Sequence, residues 1–306
     1  MSLAKLALLV GVCSLACCGR SDQPRGADNG STPTIYTSFY PTKYFAERIG
    51  GEHIEVVCPL PADADPIFWQ PTRDDIAAFH SADLIVLNGA GFEKWAEQAV
   101  LPDSRVLISA APLEDTLIEF ETTTHSHGPA GGHTHAGIDG HTWLDPGNAI
   151  VQAEQIRDAL SGLFPEHADS CAEGFTRLRA DLSALDAELA ALDLDGVTVL
   201  CSHQAYNYIA RRYGWAITNF DLDPAEPIDD QSWSRIIDIV GAAPGRVIML
   251  WESPPLGETD SRLASVLGVG GVVFSPCEML ESGENGQDYL SVMHDNVHQL
   301  SEALSD

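Results

Sequence analysis

Short apolar segments with the length of β-strands alternate with helical segments in two separate stretches of this chain. The strand-like segments of the first stretch are 34–38, 54–58, 83–87 and 105–108, and those of the second are 197–201, 216–220, 247–251 and 272–274. Parallel strands need a long crossover, usually a helix, so this alternation is typical of βα units. The sequence therefore predicts an α/β fold of two similar lobes, each a mostly parallel four-stranded sheet flanked by helices.

A long helical segment separates the two lobes. Its apolar residues recur at spacings of three and four, namely Phe175, Leu178, Leu182, Leu185, Leu189 and Leu192. This spacing places them on one helix face, and a helix over roughly 167–192 would be about 40 Å long. A coiled-coil dimer is the alternative, but the flanking charges are not balanced. We therefore predict a monomer with lobes at 34–165 and 196–306, joined by a helix at 166–195.

The first 33 residues have the features of an exported protein. Lys5 precedes an apolar run at 6–16, which has signal-peptide length and is too short to cross a bilayer. Small residues then lead into Cys17 and Cys18, a pattern that resembles the lipobox of bacterial lipoproteins. We predict a signal peptide at 1–16, lipidation of Cys17 with Cys18 as the alternative, a tether at 17–33, and an extracytoplasmic location. A plain secretory signal is the other interpretation.

Acidic residues greatly outnumber basic ones. Asp and Glu total 45 against 16 Lys and Arg, which gives a formal net charge of −29. Such a surface repels phosphate backbones and anionic lipid heads. We therefore predict no nucleic-acid partner, and contact with the membrane through the lipid anchor only.

Five of the eleven histidines lie close together in the sequence. They are His125, His127, His133, His135 and His141. Because glycines interrupt the segment, we expect a flexible loop over 125–141 rather than a helix or strand. Imidazoles bind borderline metals, and a flexible loop lets several of them converge on one ion. A polar loop with incidental histidines is the alternative.

Two histidines stand at equivalent places in the two lobes. His141 begins the motif 141–146, which leads into a predicted helix, and His203 follows the first strand of the second lobe. Side chains at the carboxyl ends of parallel strands occupy the usual ligand position of such sheets. One imidazole from each lobe predicts a metal site between the lobes.

Together these motifs resemble the zinc- or manganese-binding lipoproteins of bacterial ABC importers. The matching stretches are 36–42, 82–95, 141–146, 202–208 and 289–296, so the resemblance covers nearly all of 34–304. It implies two α/β lobes joined by one long rigid helix, with a metal ion between them and a histidine-rich loop in zinc-type members. It also implies a membrane permease as partner, with Zn²⁺ as the transported ligand.

This chain departs from the family pattern at two positions. The family commonly supplies a ligand from an Asp-Pro-His segment, whereas residues 65–67 read Asp-Pro-Ile, and the Ile67 side chain has no donor atom. The family also usually has an aspartate near the last strand, and 274–278 offers none at the matching place. The resemblance therefore leaves part of the ligand set open.

Only His141 and His203 carry over directly from the family as ligands. Zinc prefers about four N, O or S donors, so we predict Cys277, as a thiolate, and Glu252 as further ligands. Each has an alternative structural role, as a buried cysteine and as a supporting carboxylate. Other groups that could complete the shell are Asp65, Glu278, a loop imidazole or water.

The function predicted from the sequence is the capture of Zn²⁺, or Mn²⁺, and its delivery to a permease without bond chemistry. In the family, histidine at the third ligand position goes with zinc, and imidazole and thiolate favour zinc over manganese. A zinc hydrolase is one alternative, but HExxH, GxSxG and a Gly-rich phosphate loop are absent from the sequence. A metal buffer or adhesin on the same fold is the other.

Overall fold

The β-structure of the computed structural model consists of two parallel four-stranded sheets and one antiparallel hairpin. The structure describes residues 32–62, 64–126, 132–279 and 287–305. The predicted signal peptide, Cys17 and most of the tether lie outside these residues. Within the described part of the chain, no helix is both long and apolar enough to cross a membrane.

The sheet of the first lobe has the strand order β2-β1-β3-β4. Its strands are β1 (Thr34–Thr37), β2 (Glu55–Val57), β3 (Leu84–Leu87) and β4 (Val106–Ile108). The helices of this lobe are α1 (Tyr40–Gly50), α2 (Arg73–Ser81) and α3 (Pro146–Leu163). All neighbouring strands are parallel, and every residue of β3 is buried. Burial on both faces explains why β3 reads as a continuous apolar run.

The second lobe repeats this arrangement with the order β10-β9-β7-β8. Its strands are β7 (Thr198–Cys201), β8 (Ala216–Asn219), β9 (Val247–Trp251) and β10 (Gly270–Val273). Its helices are α5 (Asn207–Tyr213), α6 (Asp230–Ala242), α7 (Gly257–Arg262) and α8 (Tyr289–Ser305). All pairs are again parallel. The predicted fold class is confirmed.

Helix α4 (Ala168–Ala190) lies within the predicted linking segment and is about 35 Å long at 1.5 Å per residue. Its apolar face is buried, including Leu178, Leu182 and Leu185. It packs against α1 and α3 of the first lobe and α8 of the second. At Gly174 the approach of α1 is so close that an added Cβ would lie 2.4 Å from the carbonyl oxygen of Ile49.

The histidine-rich segment forms a hairpin, so the expectation that it would lack strands was wrong. Strand β5 (Glu119–Ser126) pairs antiparallel with β6 (Gly132–Ile138), and His125 lies opposite His133. His135 pairs with Thr123, and His127 lies outside the described residues. Antiparallel pairing satisfies the backbone groups within the segment, and threonine has high β-propensity, which outweighs the interrupting glycines.

Residues 92–99, whose sequence favours a helix, form only a single 3₁₀ turn at Lys94–Glu97. The buried Glu93 carboxylate turns back to accept hydrogen bonds from the backbone N–H groups of Asn88 and Gly89, at 2.6 and 3.0 Å. Those bonds hold the preceding loop in a tight turn, in which Gly89, Ala90 and Gly91 have positive φ angles, and the helical turn starts only after Glu93.

The two lobes share one apolar core. Phe39 and Trp143 of the first lobe belong to the same buried cluster as Phe274 and Tyr289 of the second. Two buried hydrogen bonds join the lobes there: Trp143 Nε1 donates to the carbonyl oxygen of Pro276 at 2.8 Å, and the Tyr289 hydroxyl donates to that of Trp143 at 2.7 Å. The base of the cleft between the lobes is therefore tightly packed.

Candidate metal centre

His141 stands between the hairpin and α3, in a turn that the following residues fix. Asp145 caps α3 by accepting hydrogen bonds from the N–H groups of Gly147 and Asn148, at 2.7 and 3.4 Å. Pro146, whose backbone angle is already helical, is the first residue of α3. The His141 side chain is almost fully buried at the wall of the cleft.

The buried Asp139 carboxylate orients the His141 ring. Its Oδ1 lies 2.7 Å from His141 Nδ1 and accepts a hydrogen bond from the His141 backbone N–H at 2.9 Å. Its Oδ2 accepts from Asn207 Nδ2 at 2.9 Å, and its backbone oxygen accepts from the Tyr208 hydroxyl at 2.7 Å. A carboxylate on Nδ1 leaves Nε2 as the ligating nitrogen. Sequence reasoning missed Asp139, although an acidic residue two positions before a candidate ligand is a usable signal.

His203 approaches from the second lobe, just after β7. Its Nε2 lies 3.3 Å from Nε2 of His141. On the other side of the ring, its Nδ1 lies 3.6 Å from Oε2 of Glu252, which follows β9. The two imidazoles therefore meet across the cleft, and each has a carboxylate near its Nδ1.

Glu278 completes a group of three donors. Its Oε1 lies 2.8 Å from His141 Nε2 and 3.9 Å from His203 Nε2. This oxygen is buried, and none of the described residues donates a hydrogen bond to it with acceptable geometry. The ligand atoms of the three residues lie within 4.8 Å of one another, and the described chain contains no other such group of three or more His, Cys, Asp or Glu side chains.

The charges of these groups support one another. Burial alone would lower the pKa of His141, but the carboxylates of Glu278 and Asp139 raise it to about 10. Burial acts to raise the pKa of Glu278, but His141 and His203 hold it below its usual value. Without a metal ion, His141 is therefore an imidazolium facing an ionised carboxylate, and a bound cation would replace its proton.

The structure does not bring Cys277 into this group. Its backbone has a positive φ of 61°, and its Sγ lies 3.7 Å from the carbonyl oxygen of Ser275. Burial raises the pKa of the thiol far above its usual value, so it stays protonated. The neighbouring Glu278, rather than the predicted Cys277, joins His141 and His203 in the group, and Glu252 lies beside His203 outside it.

Asp65, another candidate donor, has a defined place outside the group. Asp65 Oδ1 accepts hydrogen bonds from the backbone N–H groups of Ile67 and Phe68, at 2.8 and 3.4 Å. This carboxylate therefore caps the local turn and is not part of the three-donor group. A role of His125, His127, His133 and His135 in metal binding stays a prediction.

The donor set fits a zinc ion. Zinc–nitrogen and zinc–oxygen bonds are about 2.0–2.1 Å, so two ligands of a tetrahedral ion lie about 3.3 Å apart. The two Nε2 atoms have this separation, and a carboxylate oxygen faces them. Two histidines and one glutamate also form a known zinc donor set.

Comparison with known proteins identifies the family of this chain. Residues 35–303 match the family described as "Zinc-uptake complex component A periplasmic", or ZnuA. The chain belongs to this family. Among its relatives, the zinc-binding lipoprotein AdcA of Streptococcus pneumoniae TIGR4 is 26% identical over 96% of this chain and 60% of its own length. The manganese-binding lipoprotein MntA of Halalkalibacterium halodurans is 27% identical over 94% of this chain and 93% of its own length.

Solved structures of ZnuA-like proteins show the same fold. The Zn(II)-bound ZnuA-like domain of S. pneumoniae AdcA has a TM-score of 0.74 and 23% identity, covering 90% of this chain and 100% of that domain. The metal-dependent lipoprotein YcdH from Bacillus subtilis has a TM-score of 0.75 and 21% identity. This match covers 88% of this chain and 98% of the YcdH chain. This chain spans about three fifths of the full-length AdcA relatives that it matches.

Proposed function

We propose that this ZnuA-family protein captures Zn²⁺ between its lobes and delivers it to the membrane permease of an ABC importer. The observation that carries the proposal is the convergence of His141 from the first lobe with His203 and Glu278 from the second. An ion held by donors from both lobes couples occupancy of the site to the arrangement of the lobes, which a permease can recognise.

Zinc is the cargo that these donors favour. Two imidazoles and one carboxylate give mostly nitrogen ligands, whereas manganese sites are richer in oxygen. Manganese is the second candidate, because Glu278 adds an oxygen donor and the relative MntA, whose name describes manganese binding, matches over 93% of its length. The metal is cargo in either case, so the donors need to bind and release it rather than activate a substrate.

Binding without catalysis is part of the same proposal. The His141 and Glu278 side chains neutralise each other and both serve as ligands, which leaves neither as a free general base. The Streptococcus pneumoniae and Halalkalibacterium halodurans relatives are named as metal-binding lipoproteins. These names support an extracytoplasmic location with a lipid anchor at Cys17. A monomer is sufficient, because one chain supplies both sides of the site.

Titrations of zinc and manganese against a competing chelator test the proposal. The variants His141→Ala and His203→Ala each remove a ligand and are expected to weaken zinc binding by roughly a hundredfold or more. His298→Ala is the matched control, since His298 is exposed on α8 and pairs only with Glu302 in the described chain. Wild-type zinc affinity in both ligand variants would refute the proposed site.

A further inference from the structure

The cleft around the three donors is much larger than a metal ion requires. Its volume is about 760 Å³, whereas small-molecule sites typically measure about 300–1,000 Å³ and a water molecule takes about 30 Å³. The three protein donors satisfy three positions of a four-coordinate ion. The cleft therefore has room for a further ligand at the place where a fourth donor would bind.

Part of the wall of this cleft is apolar. Ile67 and Phe68 line it from the first lobe, and Leu222 and Met279 line it from the second. Phe68 is 36% exposed and Met279 is 52% exposed. A concave site lined by apolar side chains together with a few polar groups is typical of small-molecule binding. An aqua ion alone would not cover these side chains, but a small organic molecule attached to the metal would.

The charges of the cleft restrict what this molecule can be. The carboxylates of Asp65, Asp223 and Glu252 line it together with the Glu278 ligand, and Lys94 adds one positive charge. Negative charges in a partly enclosed site repel an anionic ligand and attract a cation. A polycarboxylate chelate such as zinc citrate is therefore disfavoured, whereas a complex with net positive charge is favoured.

We propose that the cleft binds the metal ion together with one small chelator of the amino-acid type. Its amine and carboxylate would occupy the fourth position and a fifth one, since zinc can expand to five-coordination, and its side chain would lie against Ile67 and Phe68. A zinc ion with one amino-acid anion carries a net charge of about +1, which suits the acidic walls. This inference rests on the proposed function, because it assumes that the ion binds at His141, His203 and Glu278.

Native mass spectrometry of the full chain tests this inference with zinc and L-histidine as the probe. The wild-type protein is expected to carry one zinc and one L-histidine per chain. L-Histidine is expected to strengthen zinc retention against a competing chelator by about tenfold, as one additional modest contact would do. Citrate in place of L-histidine is expected to leave no adduct and to give no such gain.

The variant Ile67→His places an imidazole on the apolar wall and tests the same point from the protein side. It is expected to retain zinc without L-histidine, because its own side chain fills the fourth position. Ile237→His is the matched control: Ile237 is exposed on α6, away from the cleft, so this variant should retain both zinc and L-histidine as wild type does. Zinc retention by Ile67→His also shows that the variant folds.

Three results would overturn the inference while leaving the proposed function intact. They are wild-type protein that carries zinc but no L-histidine, equal retention of L-histidine by Ile67→His, and stronger retention of citrate than of L-histidine. Wild-type protein that binds no zinc at the three donors would instead refute the proposed function itself.

Discussion

The substitution Glu278→Gln removes one negative charge from the proposed zinc site while keeping the size of the side chain. Only 12% of the Glu278 side chain is exposed, and its Oε1 lies 2.8 Å from His141 Nε2. Mutating a group that merely supports a metal ligand typically costs about 10–100-fold in metal affinity, and removal of a charged ligand should cost at least the upper value. A hundredfold corresponds to about 2.7 kcal/mol. We therefore expect zinc binding to weaken by at least about a hundredfold where protons do not compete for His141.

The loss depends on pH, because Glu278 also raises the pKa of His141. In the wild type this pKa is about 10, so zinc binding below that pH displaces a proton from the ring. The logarithm of the apparent affinity then rises by about one per pH unit. In Glu278→Gln the pKa of His141 falls, so protons stop competing with zinc for His141 at a lower pH. Above that pH the affinity of the variant no longer rises, whereas that of the wild type still does. The deficit of the variant should therefore be smallest in mild acid and grow as the pH rises.

Competition titrations with a chromophoric zinc chelator over a series of pH values measure this difference. Cys277→Ser is the matched control: the Cys277 thiol faces the Ser275 carbonyl and stays protonated, so this variant should bind zinc as the wild type does. Equal affinity of Glu278→Gln and wild type at alkaline pH would refute the reasoning. If Cys277→Ser lost as much zinc affinity as Glu278→Gln, the result would instead indicate that the Cys277 thiolate is a ligand.

Three further predictions concern stability. Gly174→Ala should lower the free energy of unfolding in urea by about 1–3 kcal/mol, because its Cβ would press on the backbone of α1, whereas Gly162→Ala has open space and should cause no loss. Asp186 pairs with Arg212 at 2.7 Å, which lowers its pKa below 3.8. The stability from this pair is fully present above pH 3.8 and is lost as the pH falls through the lowered pKa, so wild type and Asp186→Asn should differ near neutral pH and converge in acid. Zinc at a hundred times its Kd should stabilise the wild type by about 2.7 kcal/mol, and EDTA should reverse the rise in Tm.

The sequence predicts the lobes well, because each buried strand is short, apolar and followed by a helical segment. Strand β9 (Val247–Trp251) coincides with the predicted segment, and β3 (Leu84–Leu87) differs by one residue. The hairpin at 119–138 was missed, because glycines and histidines carry weak strand signals and pairing depends on a partner strand. The short turn at Lys94–Glu97 was missed because the buried Glu93 carboxylate also accepts a hydrogen bond from Ser38, a tertiary contact that the local sequence does not show.

The ligand set was predictable only in part. His141 and His203 stand in motifs, so their place in the group could be expected from the sequence. The places of Cys277 and Glu278 could not be predicted: Cys277 has a positive φ of 61° and its thiol faces the Ser275 carbonyl, while the side chain of Glu278 joins the donor group. A left-handed conformation at a cysteine has no sequence signal, because such angles favour glycine. The role of Asp139 could not be predicted, because it depends on contacts with His141, Asn207 and Tyr208. These residues come from both lobes and meet only in the folded chain.

The indole of Trp143 is anchored two residues after His141 and donates to the carbonyl oxygen of Pro276, two residues before Glu278. His141 and Glu278, which belong to different lobes, are thus linked by this one buried hydrogen bond and by two residues of backbone on either side. The spacing of these donors is therefore governed by the rigid interior rather than by the surface segments that border the cleft. We expect an ion of unsuitable radius to strain that interior when it binds, so that ions would be distinguished by size as well as by ligand chemistry.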